Sequence, residues 1–270
     1  MEPIILFRPD SDNAEEFAVA QKHFAVTNTR LDINRQEMVI GRYSVLPFYR
    51  ELEQDILRKG AKLVNSYSEH RYVADVLAWA GDLHGMTPDT WARPADAPKD
   101  CPLVLKGATN SKKFQWDTHM FAPDFKAAME IYGRLQDDSL IGTQDIYLRR
   151  YVPLRRLDTG PHGLPISEEY RFFVLYGQIV AGGFYWSSYA HLAGAEILPA
   201  AVPAAFLEEV VNRVKDRVPF FVVDVARTED DRWIVVELND GQMSGLSEVD
   251  PNTLYSNMRK LLDARKSNGV

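Results

Sequence analysis

Two apolar strands in the last fifth of this chain each carry an acidic residue in their midst, and that pairing restricts the fold more than any other feature. Phe221-Val222-Val223-Asp224-Val225 is followed, across the polar turn Thr228 to Arg232, by Ile234-Val235-Val236-Glu237-Leu238-Asn239-Asp240-Gly241. Side chains two apart on a strand point the same way, so Glu237 and Asn239 share a face. Antiparallel pairing across the short turn can bring Asp224 opposite them. The surrounding valines mark both strands as buried, and a buried carboxylate needs a partner. Two readings fit. In one, Asp224, Glu237 and Asn239 are oxygen ligands of Mg²⁺, with phosphate and water completing the octahedron. In the other, Glu237 and Asn239 face solvent on an ordinary hairpin and Asp224 caps a turn.

Three further stretches carry chemistry. Pro102-Leu103-Val104-Leu105-Lys106 runs into Gly107-Ala108-Thr109-Asn110-Ser111-Lys112-Lys113, a lysine at a strand end entering a loop of small and polar residues. Such a loop offers a point charge and free backbone N–H groups to a phosphate; the plain alternative is a lysine snorkelling to water. The glycine spacing is not that of a P-loop, and Lys106 lacks the flanking residues of a nucleotidyl-transfer lysine. Next, Ile146-Tyr147-Leu148-Arg149-Arg150-Tyr151-Val152-Pro153-Leu154 is an apolar strand ending in an extended, proline-bearing segment. Exposed backbone groups beside aliphatic and aromatic surface suit an adenine ring. Finally, Arg171 stands inside the apolar run Tyr170 to Val174 and needs an anion, either a carboxylate such as Glu169 or a substrate phosphate.

The rest of the chain places these stretches. Strands at Ile4–Phe7, Met38–Tyr43 and Lys62–Asn65 alternate with helices at Ala14–Phe24 and Pro47–Leu57, the rhythm of a parallel α/β unit. A helix capped by Ser66 or Ser68 runs to Gly81. Four prolines between Thr87 and Pro102 read as a surface connection. Beyond it come a helix at Pro123–Leu135, a hairpin of Tyr170–Leu175 with Gln178–Phe184 joined at Tyr176-Gly177, and helices at Pro203–Val214 and Asn252–Ala264. The aromatic run Phe184 to Tyr189 reads as core and rim of a sheet. At 270 residues, 46% hydrophobic and 26% charged, there is chain for one large domain or two small ones sharing a core.

A net charge of -7 argues against a protein that mainly neutralises nucleic-acid phosphates, although Arg149, Arg150, Arg155 and Arg156 leave room for a local basic groove. Cys101 is the single cysteine, so neither an internal disulfide nor a cysteine zinc site can form, which fits a reducing compartment. The first strand is too short and too acidic at its start for a signal peptide, and no run of about eighteen apolar residues occurs. A cytoplasmic protein is expected.

In this order the pieces resemble the ATP-grasp superfamily. Lys106 matches the lysine before the family's small flexible loop, Gly107 to Lys113 the loop, and Arg149, Arg150, Tyr151, Val152 and Leu154 the adenine hinge. Asp224, Glu237 and Asn239 match the upstream acid and the Glu-x-Asn pair that hold magnesium, and Arg171 lies where members often place a phosphate or substrate arginine. Asn65-Ser66, the helix after it and Thr87-Pro88 match the approach to the ATP domain. The likeness departs in two places: His70 and Arg71 stand where the family often has a second lysine, and the loop has Gly107 alone.

The resemblance implies an α/β plus α+β chain, the ATP-grasp fold with a small N-terminal α/β domain at residues 1–95. Residues 96–270 would form the ATP-grasp domain, in subdomains near 96–152 and 153–270. It implies a carboxylate–amine ligase using ATP and Mg²⁺ through an acylphosphate, with Lys106 and Arg171 catalytic and Lys112 and Lys113 closing over the nucleotide. The partners would be a carboxylate and an amine or other nucleophile, as peptide, protein tail or small metabolite. A homodimer is compatible with this picture, whereas nucleic acid and membrane are not expected partners. The alternatives are a phosphotransferase on the same fold and a non-catalytic ATP-binding module.

Overall fold

The computed structural model describes residues 1–192 and 199–268. Its first unit comprises β1 (Glu2–Phe7), α1 (Ala14–His23), β2 (Ala25–Thr27), β3 (Glu37–Arg42), α2 (Tyr49–Arg58) and β4 (Lys62–Leu63). The four strands form a parallel sheet in the order β2-β1-β3-β4. Alternation along β1 sends Ile5 and Phe7 to the α1 side and Ile4 and Leu6 to the α2 side, so both sheet faces are covered, as parallel strands require. Gly60, at φ +73°, ends the α2 segment in the left-handed conformation that costs glycine least.

Next come α3 (Tyr67–Ala74) and α4 (Val76–Ala80), where the apolar spacing predicts one helix to Gly81. Ser66 and Glu69 form a reciprocal capping box at the start of α3, which settles the choice between Ser66 and Ser68. The helix breaks at Asp75, whose extended backbone lets its side chain accept from Leu77 N and cap α4. That local hydrogen bond competes with continuation of α3.

The second unit has β5 (Thr90–Trp91), β6 (Leu103–Gly107), α5 (Trp116–His119), β7 (Phe121–Ala122), α6 (Phe125–Gln136) and β8 (Ile146–Arg150). Its antiparallel sheet runs β5-β8-β6-β7. The proline-rich stretch read as a surface connection therefore supplies an edge strand, Thr90 pairing with Arg149 and Trp91 with Leu148. Two residues are too few to show a period in sequence.

The third unit holds a small pair, β9 (Arg156–Thr159) with β10 (Pro165–Ser167), and an antiparallel sheet of order β12-β11-β13-β14. This sheet uses β11 (Glu169–Leu175), β12 (Gln178–Phe184), β13 (Phe220–Arg227) and β14 (Trp233–Asp240), with α7 (Ala204–Val214) and α8 (Pro251–Ser267). Tyr176 and Gly177 both have positive φ, 47° and 72°, a two-residue turn whose twist matches the strands it joins. One face of the sheet buries Phe172, Val174, Phe221 and Val223 against Val210, Val211 and Trp79. The other buries Phe173, Leu175, Phe220 and Val222 against Leu254, Tyr255 and Met258 of α8 and against Ile5 and Phe7 of β1. Among the described residues no helix is long and apolar enough to cross a membrane.

Candidate active site

The second face of the β11–β14 sheet changes character along its length. Under α8 it is apolar, and beyond α8 it carries Glu169, Arg171, Asp224 and Glu237. Arg171 lies opposite Asp224, and Asp224 opposite Glu237, so three charged side chains stand in one row across three strands. Asn239, two residues on, shares the face of Glu237.

The small sheet faces this row. Its strands β6 and β8 place Leu103, Leu105, Ile146 and Leu148 in the core beneath α6. The alternate residues Val104, Lys106, Tyr147 and Arg149 point the other way, with Val104 paired to Arg149 and Lys106 to Tyr147. Between the sheets lies a cleft walled by Val104, Met120, Leu164, Ile234 and Val236 and rimmed by Trp116 and Trp186.

Lys106 crosses the cleft and pairs its Nζ with Glu237 Oε1. Desolvation pushes the Glu237 carboxyl up, but Lys106, together with the Asn239 amide and Arg149, outweighs it and pulls the group down to about 2. Arg171 grips Asp224 with two parallel bonds, Nε to Oδ1 and Nη2 to Oδ2, both 2.8 Å. Its Nη1 donates to Gly245 O at 2.8 Å, and the Tyr185 ring stacks on it at 4.9 Å. The anion Arg171 needs is thus Asp224, not the neighbouring Glu169. Burial raises the Asp224 carboxyl from its ordinary value against the pull of Arg171.

The remaining sequence candidates divide. Lys113 lines the cleft, donating to Tyr185 OH at 3.1 Å. Lys112 does not line it, because its Nζ turns to Asp138 Oδ2 at 2.6 Å. The loop between them and β6 is held by Gln144, whose Oε1 accepts from Thr109 N at 2.8 Å. A Cβ on Gly107 would meet that same oxygen at 2.6 Å, so a larger residue there would displace the Gln144 side chain that holds the loop. Tyr151, Val152 and Leu154 line the cleft as expected of a hinge. Tyr151 N donates to Pro102 O at 3.0 Å, and Pro153 O accepts from Glu229 N at 3.0 Å, fixing the segment to both sheets. Arg150 also borders the cleft but pairs with Asp89 at 3.2 Å. Arg149 reaches in from β8 and bonds neutral oxygens, Val236 O among them.

Neither candidate for the second lysine enters the cleft. His70 is buried, with Nδ1 3.1 Å from Asp240 Oδ2 and its ring stacked on Tyr49. Arg71 is largely exposed and leans toward Asp75 at 3.8 Å.

One cleft acid is absent from the candidates that the sequence puts forward. Glu169 lines the cleft, and among the described residues the one hydrogen bond of its carboxyl is from Ser167 Oγ to Oε2, at 3.2 Å. Burial first, and Asp224 second, push its carboxyl up to about 8. A signal for it exists: Glu169 is two residues from Arg171 and must share its face. The aromatic run also does more than rim the sheet, since Tyr185 and Trp186 line the cleft.

A magnesium ion fits part of this arrangement. Mg²⁺ asks for one or two carboxylates plus phosphate and water, not an all-protein cage, and among the described residues no cluster of three acidic, histidine or cysteine ligands exists. Glu237 faces the cleft with Asn239 beside it. Asp224 is buried behind them, with both oxygens accepting from Arg171, and does not itself line the cleft.

A family model described as an ATP-grasp domain, the third family of its clade, matches residues 91–258. The chain belongs to this ATP-grasp family. No curated protein matches its sequence. Among solved structures, the D-cycloserine synthetase DcsG superposes with a TM-score of 0.62 at 15% identity, covering 96% of this chain and 99% of that one. A RiPP-associated ATP-grasp ligase of Chryseobacterium gregarium, in complex with ADP and a leader and core peptide, gives 0.59 at 11%, covering 98% and 97%. The ATP-grasp ligase PsnB, complexed with a minimal precursor, Mg and ADP, gives 0.57 at 11%, covering 98% of each. At such identities these likenesses establish the ATP-grasp fold, the mixed α/β architecture of several sheets described above.

Proposed function

We propose that this protein is an ATP- and Mg²⁺-dependent ligase that joins a carboxylate to an amine, releasing ADP and phosphate. The observation that carries the reading is the meeting of Lys106 and Glu237 across the cleft. A phosphate-seeking cation and a metal-seeking carboxylate come from different sheets and neutralise each other, and each is free to turn to a ligand of opposite charge placed between them. Adenine would lie against Tyr151, Val152 and Leu154, where backbone and apolar wall coincide. Glu237 and Asn239, with Asp224 behind them, would hold Mg²⁺, which shields the charge of the phosphates.

In the reaction, a substrate carboxylate oxygen attacks the γ-phosphorus and the bond to the β-γ bridging oxygen breaks, giving acylphosphate and ADP. An amine then attacks the acyl carbon, the C–O bond to phosphate breaks, and a proton leaves the nitrogen. Lys106 and Lys113 offset charge on the phosphates. Arg171 acts by holding Asp224 and, through Gly245 O, the segment Gly241 to Leu246 that follows the metal pair and would face the acceptor. Catalysis of this type consists of positioning and electrostatics. The domains would follow suit: the N-terminal α/β unit expected over residues 1–95 would give up β5, which pairs with β8, to the first of two arms, and these arms, divided between Val152 and Pro153, would enclose ATP. Similarity to ligases solved with peptide substrates favours a peptide or amino-acid substrate.

The test is calorimetric titration of ATP·Mg²⁺ into the unsubstituted chain, Glu237→Gln and Lys106→Ala, then nucleotide analysis after incubation with pooled amino acids and peptides. Binding lost in both variants, with ADP and phosphate formed only when substrates are present, is expected. AMP as product, or no binding, overturns the proposal.

A further inference from the structure

Most cations around the cleft have an anion at hand. Lys106 has Glu237, Lys112 has Asp138, Arg150 has Asp89 and Arg171 has Asp224. Arg149 is different. It is 7% exposed, and its hydrogen bonds go to neutral groups: Nη1 to Val236 O at 2.8 Å, Nη2 to Thr87 Oγ1 at 2.9 Å and Nε to Thr90 Oγ1 at 3.2 Å. No ion pair joins it to a carboxylate among the described residues. A guanidinium keeps its charge at neutral pH and carries five N–H donors in a rigid fork, so part of the fork is unused. Glu237 attracts it, but that carboxylate is already paired with Lys106; a buried charge without an ion pair of its own is costly, and Arg149 lines the cleft, from which a counter-ion could come.

The strand register sharpens this. Val104 opposes Arg149 and Lys106 opposes Tyr147, so Lys106 and Arg149 are diagonal neighbours on one sheet face, about 7–8 Å apart and within reach of one another's ligands. Both reach toward the same stretch of β14, Lys106 to Glu237 and Arg149 to Val236 O. His70 and Arg71 are committed elsewhere, as described above.

From this geometry we infer that Arg149, and not His70 or Arg71, is a further cation that contacts the phosphates of the bound nucleotide, from the same sheet face as Lys106. The inference rests on the nucleotide-binding reading of the cleft. It assigns Arg149 to the phosphate chain instead of the adenine hinge, and it gives the buried charge an ion pair of its own. Thr87, Thr90 and Val236 O then serve to aim the fork.

The experiment compares ATP·Mg²⁺, ADP·Mg²⁺, AMP and adenosine as calorimetric ligands of the unsubstituted chain, Arg149→Met, Arg149→Lys and Arg71→Gln, with melting curves recorded without ligand. Arg149→Met is expected to weaken ATP at least about tenfold, the scale of a lost charge-assisted bond, while adenosine changes less than about twofold. Arg149→Lys, which keeps the charge, restores much of the ATP affinity, and Arg71→Gln changes none of the four. The step along AMP, ADP and ATP at which the loss appears identifies the phosphate touched. Equal loss of adenosine and ATP in Arg149→Lys, or full ATP affinity in Arg149→Met, overturns the inference and leaves Arg149 a structural clamp between sheets. Should Arg149→Met not fold, the Arg149→Lys comparison of adenosine with ATP decides alone. If the unsubstituted chain binds none of the ligands, the nucleotide reading itself falls, an outcome distinct from a failure at Arg149.

Discussion

Strand β14 carries two acids three residues apart, Glu237 and Asp240, on opposite faces, since Glu237 pairs with Asp224 and Asp240 with Phe221. Their surroundings differ in kind. Asp240 is enclosed: Oδ1 accepts from Asn65 Nδ2 at 2.8 Å and from Gln242 N at 2.9 Å, Oδ2 faces His70 Nδ1 at 3.1 Å, and all these residues are buried. Its partners lie on α3, on the approach to it and on the strand's own exit turn. Glu237 keeps 29% of its side chain exposed, and its ion partner Lys106 belongs to a different sheet across a cleft. One acid is fastened into the scaffold and the other is held by a group that can withdraw. The same kind of side chain on one strand is thus structural or available for chemistry according to who satisfies it.

The largest effect expected breaks that comparison if it fails. Asp240→Ala leaves Asn65, the Gln242 amide and His70 buried without their acceptor, and should cost about 3 kcal/mol or more in chemical denaturation. Glu237→Gln, by contrast, should shift stability by no more than about 1 kcal/mol while removing Mg²⁺-dependent nucleotide binding. Equal stability losses at the two positions would show that Glu237 is scaffold as well.

Next in size is the Arg171–Asp224 pair, which shares features of both regions: it is buried, yet Arg171 packs on Tyr185, a residue of the cleft wall. Arg171→Met alone strands a buried carboxylate and should cost about 3–5 kcal/mol. The double variant Arg171→Met/Asp224→Leu should recover most of that, because an apolar pair of similar volume replaces the ions without desolvating a charge. Nucleotide binding should stay impaired in the double variant. Urea denaturation of the three proteins, with calorimetry, separates the two contributions.

These differences explain what can be read in advance. The buried strands β11, β13 and β14 announce themselves by apolar runs of about four residues broken by single charged side chains, and the parallel unit by alternating strands and capped helices. Strands β2, β5, β7, β9 and β10 give no such signal, since two to four residues show no period and are fixed by neighbours distant in sequence. For the site, period two is enough to put Glu237 with Asn239, and it puts Glu169 with Arg171. What period cannot give is the partner across space. Nothing local says that Asp224 rather than Glu169 meets Arg171, that His70 turns toward Asp240, or that Lys112 and Lys113, adjacent in the chain, take opposite sides of their loop.

Glu169 supplies a pH test of intermediate size. Its carboxyl is raised by burial and by Asp224 to about 8 from an ordinary 4.5, against the opposing pull of Lys113 and Arg171. The folded chain therefore keeps a proton that the unfolded chain releases between those values. Its stability contribution is full below about pH 4.5, declines as pH rises toward about 8, and is flat beyond. Glu169→Gln should remove more than about 1 kcal/mol of that decline, visible as a melting temperature that falls less between pH 5 and pH 8. A variant with the same slope as the unsubstituted chain would place the titrating group elsewhere.

The smallest effect distinguishes the two adjacent lysines of the loop, and it restates the contrast between fastened and available groups at the surface. Lys112 is committed to Asp138, whose carboxyl that lysine and the Ile141 and Leu140 N–H groups pull down to about 2. Lys113 rests on the Tyr185 hydroxyl and on the faces of Tyr185 and Trp186, contacts that hold a cation in the cleft without neutralising it. Lys113→Ala should weaken ATP about fivefold and Lys112→Ala less than about twofold, the range of a half-exposed charge against a surface pair. Raising the salt concentration should narrow the difference, because a charge that reaches the phosphates from a loop is screened more than one buried in a sheet. If Lys112→Ala proves the more damaging, its bond to Asp138 opens when nucleotide binds, and the lysine most firmly paired in the free protein is the one that closes over the phosphates.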